Sequence, residues 1–197
     1  MAETARFSIV VARHGETDWS KNGRHTGLTD IPLTDAGRDE ARAIAAPLAQ
    51  WDFSLVLTSP LERARETCRL AGLSDEAVVD DDLLEWNYGE YEGLTSPQVR
   101  EQDTGWLIWT GATPGGETPD QVAARVDRVL ARALDVQGHV ALFAHGHVLR
   151  VLMARWLGLP PADGRLLTLA TGTISVLGWE HEYHVVRSLN EGLYRKG

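Results

Sequence analysis

Apolar and polar residues follow two rhythms along this chain. Short, almost continuous apolar runs predict buried strands, and longer stretches with an apolar residue every third or fourth position predict helices. "FSIVVA" reads as the first strand, "SLVLTSP" as a second ended by Pro60, and "AVVDDDLLEW" as a further short strand or extended segment. "HVALFAHG" is another core strand, and "TISVLGWE" and "YHVVRSL" close the domain. The helical stretches fall between them. One follows "LTDAG", capped by Thr34 or Asp35, with Ala41, Ile44, Ala45 and Leu48 at helical spacing. "LERARETCRLAG" stops at Gly72. "ETPDQVAARVDRVLARALDV" puts Val122, Val126, Val129, Leu130 and Leu134 on one face, and "HVLRVLMARWLG" is the last helix. Strand and helix in alternation predict an α/β fold, a mainly parallel central sheet flanked by helices. From Asn87 to Gly116 the rhythm fails: four glycines precede "PGG", with Trp106 and Trp109 among them, which reads as a short helical and loop insertion over the site.

Length and composition narrow this picture. At 197 residues, 43% hydrophobic and 24% charged, the chain is read as a single domain spanning 1–197. A net charge of -9 excludes wholesale binding to nucleic acid or an anionic membrane. Any anionic ligand must therefore meet a local cluster of Arg and His. The lone cysteine, Cys68, excludes an intramolecular disulfide, suits a reducing compartment and reads as a structural thiol. "MAETARF" is too polar for a signal peptide, and no run approaches the ~20 apolar residues of a membrane helix, so the expected location is the cytoplasm.

The candidate chemistry lies where strands end. In "VVARHGETDW" three apolar residues run straight into Arg13, His14, Gly15 and Glu16. Unpaired charge is costly to bury, whereas open α/β sheets bind ligands beyond the carboxyl ends of their strands. Other strand ends deliver Arg63 in "SPLER", Glu85 after "DLL" and His145 after "ALFA". Together these groups suit one site facing an anion. Arg13 and Arg63 can clamp a phosphate through forked hydrogen bonds. Of two imidazoles, one can serve as nucleophile and the other as a donor to the transferring group. A nearby carboxylic acid can protonate the departing oxygen, and backbone N–H groups after Gly146, at a helix start, add fixed donors. This much positive charge calls for no metal and no cofactor.

"RHGETDW", "GRHTGLTDIPLTDAG", "SPLERARET", "LLEWNYGEYEG" and "FAHGHVLR" occur in this order and together resemble the histidine phosphatase superfamily, also called phosphoglycerate-mutase-like. The resemblance implies that His14 becomes a phosphohistidine, with its other ring nitrogen held by the Gly15 carbonyl. It implies that Arg13, Arg63 and His145 form the phosphate pocket and that Glu85 is the general acid. Arg24, Thr26 and Gly27, in "RHTG", match a substrate-contacting turn.

Blander readings compete for several residues. Arg65 suits pairing with Glu62 or Glu66, Glu16 suits a salt bridge between loops, and Glu90 and Glu92 are rival carboxylates for Glu85. His145 and His147, in "HGH", could begin a metal site, but His181 and His184 are expected on opposite strand faces and supply no further ligands. His147 reads instead as a pocket-rim residue whose backbone N–H helps bind phosphate. Trp19 and Trp86 fit core. Trp106 and Trp109 fit core, a substrate wall or a homo-oligomer interface.

In the resembling family, mutases carry a longer, basic insertion. Here "LTSPQVREQDTGWLIWTGATPGGET" holds one arginine, Arg100, and no lysine, and Ser20 stands where the mutase-like pattern has Asn, with a shorter reach to a phosphoryl oxygen. The expectation is hydrolysis of a small, singly phosphorylated metabolite. Mutase-type transfer and a non-catalytic phospho-ligand-binding protein are the alternatives.

Overall fold

Val-, Ile- and Leu-rich runs need cover on both faces, and the chain meets that need by threading them through one six-stranded sheet. The computed structural model describes residues 7–192, so all of "MAETARF" but its last residue lies outside the described residues. The strands are β1 (Ile9–Arg13), β2 (Phe53–Thr58), β3 (Ala77–Val79), β4 (His139–Ala144), β5 (Ile174–Glu180) and β6 (Tyr183–Glu191). The helices are α1 (Asp18–Lys21), α2 (Asp35–Ala43), α3 (Ala45–Leu48), α4 (Glu62–Leu70), α5 (Ser96–Gln102), α6 (Pro119–Asp135) and α7 (Gly146–Trp156). The sheet order is β3-β2-β4-β1-β5-β6. Neighbours from β3 to β1 run parallel, and β5 and β6 add an antiparallel edge.

Alternation along the strands divides the core between two faces. Ile9, Val11, Val140 and Leu142 pack with α6 and α7 through Val122, Val126, Leu149 and Leu152. Val10, Ala12, Ala141 and Phe143 pack on the other side with Ile44, Leu48 and Cys68. Burial pushes the Cys68 thiol up to about 12, which keeps it protonated.

Some expectations need correction. The helix after "LTDAG" is two pieces, α2 and α3, parted at Ile44. Pro47 has no N–H to offer the Ala43 carbonyl, so an unbroken helix would lose a bond there. Thr34 is the cap, accepting from the Gly37 N–H. On α6 Leu134 is 42% exposed while Ala133 is buried, because the seam through Val122, Val126 and Val129 next meets position 133. His181 sits in the tight β5–β6 turn at φ 50° rather than on a strand. His184 stacks on Trp156, ring centroids 3.8 Å apart. Among the described residues no helix is long and apolar enough to cross a membrane.

Candidate active site

β1 and β4 are parallel neighbours, so the residues that follow them emerge side by side. The His14 N–H donates to the Ala144 carbonyl at 3.0 Å, carrying the ladder one residue past β1. Gly15 then crosses the start of α2 at very short range. A Cβ on Gly15 would lie 2.1 Å from the Gly37 carbonyl oxygen, and one on Gly37 would lie 2.1 Å from that of Glu16. Only a pair of glycines permits this crossing. Glu16 assists with a hydrogen bond, not the expected salt bridge: its Oε1 accepts from the Thr34 hydroxyl at 2.9 Å.

His14 Nδ1 lies 2.7 Å from the Gly15 carbonyl oxygen. A carbonyl can only accept, so Nδ1 carries the proton and Nε2 keeps its lone pair. Burial, then the positive charges of Arg63 and Arg13, hold the His14 pKa well below the usual histidine value, so the ring is neutral. His145 packs beside it, ring centroids 5.1 Å apart. Arg63 Nε donates to His145 Nδ1 at 3.0 Å, and His145 Nε2 lies 2.7 Å from the Ser59 hydroxyl. Burial and Arg63 keep this imidazole neutral too, so Nε2–H is the donor to Ser59.

A cavity of about 290 Å³ opens above these groups. Of the residues singled out in the sequence, Arg13, His14, Ser20, Arg24, Thr26, Glu85, Trp106, Trp109, Gly146 and His147 line it; Arg63, His145 and Gly27 do not. Arg63 is fully buried beneath the floor, where Nη1 donates to the Thr29 carbonyl at 2.9 Å and Nη2 to that of Gly27 at 2.8 Å. Its guanidinium thus fastens the loop after Arg24, and Gly27 contributes a carbonyl to that fastening. Arg13 does reach the cavity. Nη1 donates to the Leu169 carbonyl, Nε is buried without a hydrogen-bond partner, and the guanidinium lies against Gly146.

Glu85 lies where the α7 N–H donors were expected to meet phosphate. Its Oε1 accepts from Trp86 N–H at 2.9 Å and Val148 N–H at 2.8 Å, and its Oε2 accepts from His147 N–H at 3.0 Å. In this state the carboxylate caps α7, whose N-cap residue His145 makes no side-chain cap bond. Ser20 is also engaged, its hydroxyl closing a capping box with the Thr17 backbone at 2.9 Å. The histidines of "HGH" turn to different partners, His147 Nδ1 lying 2.6 Å from the Tyr88 hydroxyl. Burial, reinforced by Arg150, keeps His147 neutral, and burial with nearby Glu85 pushes the Tyr88 phenol well up. Tyr88 therefore donates and His147 accepts.

Tyr88, His25 and Arg150 also line the cavity and were missed in the sequence. Tyr88 falls three residues after Glu85 and Arg150 closes "FAHGHVLR", but neither position alone announces a wall. Burial, then Arg100, lowers the His25 pKa to about 4. Trp106 and Trp109 belong to both alternatives: they are 3% and 8% exposed, pack in the core and still edge the cavity. That burial removes them from the homo-oligomer interface they were offered for.

A neutral imidazole with a fixed tautomer, guanidiniums around it and a buried carboxylate at one cavity define a phosphoryl-transfer site. The profile of the histidine phosphatase superfamily (branch 1) matches residues 9–192, and the chain belongs to that superfamily. It is 42% identical over 177 residues to an acid phosphatase of Mycobacterium tuberculosis, covering 88% of this chain and 87% of that one. It is 36% identical over 182 residues to a sedoheptulose 1,7-bisphosphatase of Saccharomyces cerevisiae, with 76% and 67% covered. The solved structure of an open-reading-frame product of Mycobacterium tuberculosis superposes with a TM-score of 0.89 at 40% identity, covering 93% of this chain and 97% of that one. Similarity extends to a 2,3-bisphosphoglycerate-dependent phosphoglycerate mutase of Gloeobacter violaceus at 34% identity.

Proposed function

We propose that this protein hydrolyses phosphomonoesters through a phosphohistidine on His14. The observation that carries this reading is the His14 ring itself: neutral, with Nδ1–H held by the Gly15 carbonyl and the Nε2 lone pair left for attack. Nε2 attacks phosphorus in line, the N–P bond forms as the ester P–O bond breaks, and Glu85 gives its proton to the departing oxygen. Water then attacks phosphorus, Glu85 takes its proton, and cleavage of the N–P bond releases phosphate and restores neutral His14. Arg13 balances charge on the phosphoryl oxygens from the cavity, while Arg63 acts from below through His145 and its own positive field. The N–H groups of His147 and Val148 that Glu85 holds lie at the same helix end, where an arriving phosphoryl group would share them.

Hydrolysis is favoured over mutase-type transfer because the segment over the site offers one cation, Arg100. A cytoplasmic location goes with the reading, which the buried Cys68 suits. The test is phosphate release from a panel of small phosphomonoesters in EDTA, with isomer formation from 3-phosphoglycerate followed in parallel. Release without isomers is expected, and dominance of isomers would make the protein a mutase. His14→Ala is expected to lower turnover by roughly a thousandfold or more and to remove the acid-labile phosphoryl-enzyme, while vanadate still binds. Turnover near that of the native protein would remove His14 as nucleophile.

A further inference from the structure

Arg63 and Arg125 are each gripped by several acceptors. Arg63 meets His145 and the carbonyls of Thr29, Thr26 and Gly27, and Arg125 meets Glu117 and the carbonyls of Asp82, Leu84 and Glu85. Arg13, whose guanidinium reaches the cavity, is held far more sparingly. Among the described residues its side chain has one hydrogen-bond acceptor, the Leu169 carbonyl, and its Nε has none. The Arg13 main chain is fixed separately, its N–H donating to the Thr173 carbonyl at 3.1 Å. Where the guanidinium points therefore depends on where a single carbonyl is held.

Asn190 holds the chain on both sides of that carbonyl. Its Oδ1 accepts from the Ala170 N–H at 2.8 Å, and its Nδ2 donates to the Thr168 carbonyl at 2.8 Å. An amide that accepts on one side and donates on the other has only one orientation here. The Thr173 hydroxyl draws the loop in further, lying 3.1 Å from Asn190 Oδ1 and 2.8 Å from the Ala170 carbonyl. A break in the β5–β6 ladder sets the angle of this grip: the register shifts between the Ile174–Glu191 and Val176–Ser188 pairs. Within the shift Asn190 turns left-handed, φ 59°, and its N–H donates to the Ser175 hydroxyl at 3.1 Å. Asn tolerates that backbone better than most residues, and such irregularities re-aim a side chain. We infer that Asn190, on a strand two removed from β1, is a positioning residue for phosphoryl transfer. By fixing Thr168 and Ala170 it aims the Leu169 carbonyl, and through that carbonyl the Arg13 guanidinium, at the phosphoryl oxygens. The inference rests on the hydrolase reading above.

The experiment measures kcat/KM for p-nitrophenyl phosphate and the affinity for vanadate in the native protein, Asn190→Gly, Arg13→Gln and the double variant. Glycine accepts a left-handed backbone, so Asn190→Gly removes the grip without straining the turn. Where Arg13 is present, it should lower both quantities by about tenfold, the factor that ~1.4 kcal/mol represents. Where Arg13 is already gone, the loss should shrink to less than about threefold, because residues that act through one another do not add. A residue that only stabilised the fold would cost the same in both backgrounds. Asn190→Asp keeps Oδ1 and loses the donor to Thr168, so it reads the same two ratios even where the glycine variant fails to fold. Equal losses in the two backgrounds, or no loss beside Arg13, overturn the positioning role and leave the hydrolase reading standing. Absence of phosphate release from the native protein, with no acid-labile phosphoryl-enzyme, overturns the hydrolase reading and this inference with it.

Discussion

At the scale of single residues, the neighbours of His14 decide the pH range in which it can act. Burial and two guanidiniums keep its ring unprotonated below the ordinary histidine range. Activity on a simple phosphomonoester should therefore show no loss of kcat/KM as the pH falls through ~6.5, the ordinary histidine value. A kcat/KM that drops with an apparent pKa of ~6.5 would contradict the neutral ring. The Gly15–Gly37 crossing is as exacting. Gly37→Ala should destabilise the fold by about 2 kcal/mol or more through overpacking and displace the His14 loop, which urea unfolding and turnover would register together. Arg13, His14 and His145 were legible because they follow buried strands directly; Glu85, expected at a strand end, instead follows a single helical turn at Asp81–Leu83 and was legible only through the resemblance of "LLEWNYGEYEG". Tyr88, His25 and Arg150 were not, because each lies in a segment whose path across the cavity is set by tertiary packing, and their residue types have ordinary uses elsewhere.

Among elements, the decisive contact runs from α6 to the segment that carries Glu85. Arg125 donates to the carbonyls of Asp82 at 2.8 Å, Leu84 at 2.6 Å and Glu85 at 3.2 Å, and pairs with Glu117 at 2.8 Å. One guanidinium thus sets the backbone from which Glu85 reaches α7. Arg125 is a positioning residue, and Arg125→Gln should cost about 3 kcal/mol, the scale for leaving a buried partner unmatched. It should also lower kcat more than it raises KM for p-nitrophenyl phosphate, while Arg125→Lys recovers part of the stability. A loss of stability with unchanged kcat would reduce Arg125 to a structural role. The elements themselves were readable from apolar spacing. The α2–α3 break and the exposure of Leu134 were missed because spacing marks a helical stripe without fixing where a proline divides it or which edge of it meets the sheet.

For the whole molecule, one consequence of the site is an acid-sensitive fold. His14, His25, His145 and His147 are all held below the ordinary histidine pKa, chiefly by burial, His25 to about 4. Between pH ~6.5 and about 4 the unfolded chain takes up protons that the folded chain refuses, so stability must fall as the pH drops through that window. The urea midpoint should decline from pH 7 to pH 5, and less steeply in His25→Asn. A midpoint that holds or rises on acidification would show these rings to be protonated in the native state.

The sheet order has a consequence for how the chain is made. β1 is synthesised first yet lies between β4 and β5, whose residues begin at 139 and 174. A ribosome that has released everything through α6 therefore presents Ile9–Ala12 as an apolar ribbon with both hydrogen-bonding edges open. Until the distant partners emerge, the segment leading to His14 has need of a chaperone's shelter.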